Sequence, residues 1–168
     1  MTARKASAVI VAGVIAGLVS GAALGVVWWK LAPRMPLLLQ PGSGGFPDEF
    51  QPQETLASDI TFALLAAVAG VAITIGLAHM RREHLISVLV AALAASAVGT
   101  SVMWFVGTRL GSVDIEGLVA TTTHDVVVDA PLTVSMPAMY LVWAIAATLV
   151  VVVLAFADWL AQRGRAAR

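Results

Sequence analysis

The chain has 168 residues, 60% of them hydrophobic and only 12% charged, with a mean hydropathy of +0.92. That balance leaves too little polar surface to clothe a water-soluble core and points to a polytopic membrane protein. The absence of cysteine removes disulfides, thiol nucleophiles and thiolate metal sites, and a net charge of zero without a basic, aromatic-laced stripe speaks against nucleic acid.

The first predicted element is an apolar helix over about residues 6–29, long enough to cross a hydrocarbon core of roughly 30 Å. Its opening "MTARK" imitates a signal peptide, but the apolar run outlasts the short core of such a signal, and Trp28, Trp29 and Lys30 anchor its far end. A retained span is expected. Within it, "GVIAGLVSGAALG" puts glycine at 13, 17, 21 and 25. A four-residue step drifts only about 40° around a helix, so Gly13, Gly17, Gly21 and Gly25 form one oblique groove. In lipid, close backbone approach holds helices together better than apolar area does. The groove is therefore read as a packing face. Three readings stay open: it closes on the third span, where Ala91, Ala95 and Gly99 repeat the spacing; it receives a helix of another protein; or it reflects Gly/Ala richness alone.

Residues 30–59 contain five of the seven prolines and the run "PGSGG", which favours turns and extended chain. "PLLLQ" at 36–40 is apolar enough to lie on the bilayer or a partner. "PQETLASDITF" leads into a second span over about 60–78, with Thr55 or Ser58 as N-cap candidates. The turn "MRREH" follows, where Arg81 and Arg82 suit lipid phosphates and the five-residue step from His79 to His84 does not suit a helical metal pair. A third span covers about 85–107.

The stretch 108–137 reads as a small β-like module, with strands in "SVDIEGL" and "HDVVVDAPLTVSM". A two-stranded hairpin alone is marginal in water, so a brace from the first loop segment, the membrane or another subunit is expected. His124 beside Asp125 does not make a dyad, because strand neighbours point to opposite faces. Asp125 and Asp129 are too few for a calcium site and read as a solvated acidic surface. The fourth span covers about 138–157. The fold class expected is an all-α membrane protein of four transmembrane helices with an extracytoplasmic β-like module between helices 3 and 4.

Arg4, Lys5, Arg81, Arg82, Arg163, Arg165 and Arg168 would share one side of the membrane, against Lys30, Arg34 and Arg109 on the other. The positive-inside rule then puts both termini in the cytoplasm of a multi-pass inner (plasma) membrane protein, with segments 30–59 and 108–137 outside. Trp28, Trp29 and Trp104 would lie near the outer headgroups, and Trp159 near the inner ones. No span carries an ionisable residue away from its ends, unlike ion-coupled transporters, and no nucleotide-binding, zincin or serine-hydrolase motif occurs. No catalytic, cofactor-binding or metal-binding residue is assigned.

The order of "VVWWKLAPRMPL", "ETLASDITFALLAAVAG" and a last span ending in "DWL" resembles a mycobacterial and actinobacterial family of four-span membrane proteins of unknown function. The resemblance extends to an accessory subunit associated with Mce-type lipid importers. The resemblance implies a non-catalytic subunit beside a permease and its ATPase, in contact with membrane lipids. A membrane contact through the glycine face or another small-residue face is expected, as is docking of the outer module by strand addition. The alternative is a stand-alone lipid-binding or envelope-sensing protein.

Overall fold

The computed structural model describes residues 3–40, 43–45, 52–80 and 84–166. Helices α1 (Ala3–Leu31), α2 (Pro52–Met80), α3 (Leu85–Leu110) and α5 (Val142–Ala166) make a bundle, and a short α4 (Ile115–Thr121) lies between the last two. α5 is entered through a 3-10 turn, Pro137–Leu141. The four long helices are each long and apolar enough to cross a membrane. α2 starts earlier than the expected span, with a proline at its first position, where a missing amide hydrogen costs nothing. Thr55 and Ser58 therefore sit inside the helix and do not cap it.

The bundle is built from two pairs of helices. α1 and α3 run in the same direction, with Gly13 against Ala91, Gly17 against Ala95, Gly21 against Gly99 and Gly25 against Met103. A methyl group at Gly13 would lie 2.6 Å from the Ala91 carbonyl oxygen, and one at Gly25 2.8 Å from that of Met103. At Gly17 and Gly21 it would run into the Ala95 and Gly99 backbones. The buried stripe of α1 continues the glycine series at both ends, through Val9, Trp28 and Ala32. α2 and α5 form the second pair, where Leu77 and Ala78 share a core with Ala147 and Val151.

Two tryptophans join the pairs. Trp143 is 1% exposed and its ring fills the space that a side chain on Gly99 would take. Trp28 is fully buried, its ring edge-on to Phe62 with centroids 5.0 Å apart, and it occupies the room left by Gly107. Trp28, expected near the outer headgroups, is turned away from the bundle surface: its indole N–H donates to the Ser58 carbonyl at 3.2 Å, inside the bundle. Burial of a large ring with its one donor satisfied outweighs the interfacial preference of an indole. Trp104 and Trp159 are exposed.

At one end of the bundle lies a three-stranded antiparallel sheet, order β2-β1-β3, of β1 (Pro36–Gln40), β2 (Ser43–Gly45) and β3 (Val126–Asp129). Its central strand is "PLLLQ", so the sheet unites both inter-helix segments. Leu37 pairs with Val128 and Leu39 with Val126, and the Ala130 amide extends the ladder to the Met35 carbonyl at 2.8 Å. The strand expected in "SVDIEGL" is instead α4. Asp114 caps it, accepting from the Gly117 amide at 3.0 Å, and this local bond favours the helical turn over an isolated strand.

Candidate functional site

The sheet end of the bundle holds the most unusual polar chemistry, beginning with Asp59. It lies on the face of α2 that also carries Ser58, Phe62 and Ala66, and it is fully buried. Its carboxylate accepts the Ser135 amide at both oxygens, at 3.0 and 3.1 Å, and the Met136 amide at 2.9 Å. These amides precede the turn into α5, where no local side chain caps the chain. A carboxylate at a helix entrance is favoured by hydrogen bonding and by the helix dipole. Sequence analysis gives Asp59 no role of its own, because its partners Ser135 and Met136 lie in a remote segment.

Next to Asp59, on the side of Ser58, is a half-open cavity of about 480 Å³ bordered by the chain after α1, β1, the start of α2, α4 and the segment after β3. Met35, Leu37, Ile115 and Leu132 supply apolar wall; Arg34, Thr55 and Ser58 supply polar groups. Arg34 is half-buried and oriented by donating Nη2–H to the Trp29 carbonyl at 3.0 Å. Among the described residues it has no carboxylate partner. It also lines a neighbouring polar cleft with Lys30 and Asp129. Ser58 is 4% exposed and its Oγ is without a hydrogen-bond partner, as are Glu54 Oε2, Thr74 Oγ1 and Thr100 Oγ1. Each such orphan costs about 1–3 kcal/mol unless something meets it. An apolar chamber with a few convergent polar groups is the usual form of a small-ligand site.

No family model, curated protein or solved structure matches this chain. The site must therefore be judged on its own chemistry. The cavity offers van der Waals contact for an apolar chain and, at one border, guanidinium and ammonium donors for an anion. Two cations and one carboxylate share that border, so it favours negative charge.

The residues singled out from sequence fall in different places. Gly13, Gly17, Gly21 and Gly25 meet Ala91, Ala95, Gly99 and Met103 within the chain itself, which closes that face to any second helix. Arg81 and Arg82 lie outside the described residues. His79 is exposed, and His84 precedes α3 without a side-chain capping bond. His124 Nδ1 lies 3.2 Å from Thr123 Oγ1, while Asp125 and Asp129 are exposed. Among the described residues no group of three or more acidic or histidine side chains converges.

Proposed function

We propose that the chain is a multi-pass inner-membrane protein with both termini in the cytoplasm, serving as a non-catalytic subunit docked on a larger lipid-transport complex of the Mce importer type. The observation that carries this reading is the outer face of α5 and the end of the 3-10 turn that leads into it. There Leu141, Ala144, Ile145, Thr148, Leu149 and Val152 line an apolar groove. Small Ala144 and Thr148 sit one turn apart among larger neighbours, the pattern that lets a second transmembrane helix come close. The glycine face is already filled by α3, so α5 is the docking face of choice. β3 lies at the edge of its sheet with Val127 63% exposed, which suits strand addition by a partner's outer portion.

Affinity purification in mild detergent at native expression, read by mass spectrometry, tests the proposal. Permease and ATPase subunits are expected to co-purify, and Ala144→Trp with Thr148→Trp is expected to release them without loss of the chain. A clean homo-oligomer, or retention of partners by the double variant, overturns it. The stand-alone lipid-binding reading draws on the 480 Å³ cavity; a stoichiometric lipid retained with no partner protein would favour it.

A further inference from the structure

We propose that the cavity beside β1 binds one single-chain amphipath with an anionic head, its chain against Met35, Leu37 and Leu132 and its head on Arg34 and Lys30. The volume argues for one chain: 480 Å³ holds about sixteen groups at roughly 30 Å³ each, the share of a water-sized group. The walls argue for an acyl chain, since Met35, Leu37, Ala130, Pro131 and Leu132 make one apolar stretch of wall, with Thr133 the only polar side chain that the segment after β3 adds. The head is set by Arg34, among the described residues the one that lines both the apolar chamber and the polar cleft beside it. Its guanidinium is held in place by the Trp29 carbonyl, and among the described residues it makes no ion pair.

A planar guanidinium presents paired donors that match the oxygens of a carboxylate or phosphate. Lys30 adds a second cation to the cleft, and Asp129 offsets only one of the two. A cationic head would meet net repulsion there, and a neutral head would forgo the strongest contact. Ser58, a wall residue with a buried Oγ, is a further polar group with no hydrogen-bond partner among the described residues. The inference concerns the isolated chain, so its failure leaves the accessory-subunit reading standing, and the reverse holds too.

The test uses the full chain in phosphatidylcholine nanodiscs, released into native mass spectrometry after titration with palmitate, lysophosphatidylglycerol or neutral monopalmitoylglycerol. Palmitate and the lysophospholipid separate a carboxylate head from a phosphate head. Saturable one-to-one binding of at least one of them is expected, about tenfold tighter than the neutral lipid, the factor that corresponds to one charge-assisted contact. Arg34→Gln should erase that preference while chain binding persists. Thr55→Trp, which places a large ring in the cavity wall, should block all three ligands. Circular dichroism and melting of each variant establish that the fold is retained. Equal binding of the neutral lipid, unaltered binding by a folded Thr55→Trp variant, or the absence of a saturable one-to-one complex overturns the proposal.

Discussion

Asp59 does for the entrance of α5 what a neighbouring Ser or Asp does for most helices, but from a different helix and 76 residues away. Its removal would strand two backbone amides, and a buried charge-assisted contact cannot be replaced by water at low cost. Asp59→Ala is expected to destabilise the fold by about 3 kcal/mol. Asp59→Asn should cost less, because one oxygen still accepts while the amide nitrogen faces a donor. Thermal unfolding in detergent followed by circular dichroism measures both, and an unshifted midpoint for Asp59→Ala would refute the clamp. Nothing local in "ASDITF" distinguishes this carboxylate from one that faces water. Its partners, Ser135 and Met136, belong to a segment that only folding brings near. Trp28 is similar: its position at a span end suits the headgroup region, and its burial follows from Gly107 opening a space for it.

Among the elements, α1 carries the most legible pattern, because a four-residue glycine period maps directly onto one helix face. The structure seats that face on α3 with almost no clearance. Gly17→Ala would therefore force the helices apart at a cost of about 1–3 kcal/mol, the usual range for overpacking. Gly76 has nothing within 4 Å of its hypothetical side chain, so Gly76→Ala is expected to stabilise by up to about 1 kcal/mol through helix propensity alone. Opposite shifts of the two melting midpoints check the pair; equal shifts would mean that glycine spacing is not what holds α1 to α3. Segment 112–121 was harder to read. Apolar and polar residues alternate in "SVDIEGL", yet seven residues also make two helical turns, and the Asp114 cap decides between them. The partner of β3 was likewise out of reach, since Pro36–Gln40 lies some ninety residues earlier in the chain.

For the whole molecule, the proposed topology puts the sheet and α4 outside and the C-terminal end of α5 inside. The natural absence of cysteine makes this simple to check. Thr123→Cys and Gly164→Cys both place a thiol at exposed positions. A membrane-impermeant maleimide is expected to label the first in intact cells and the second only after permeabilisation. The reverse result would invert the topology and remove the cavity from the outer side. Coupling between levels is direct: β1 lines the cavity through Leu37, Asp59 holds the segment that continues its wall, and the Trp29 carbonyl at the end of α1 orients Arg34.

Sequence by itself determined that the chain has four helices able to span a membrane, because apolar length and composition are local properties that hydrocarbon thickness reads directly. It also confined the glycines to one face of α1, while leaving open whether α3 or a foreign helix fills that face. Tertiary structure alone decided that α3 does so, that Trp28 and Asp59 turn inward, and that strands from two distant segments form one sheet whose central strand lines a cavity. These are pairings between remote parts of the chain. A side chain's neighbours across such a gap depend on which surfaces meet when loops close, and no periodicity within a single element encodes that meeting.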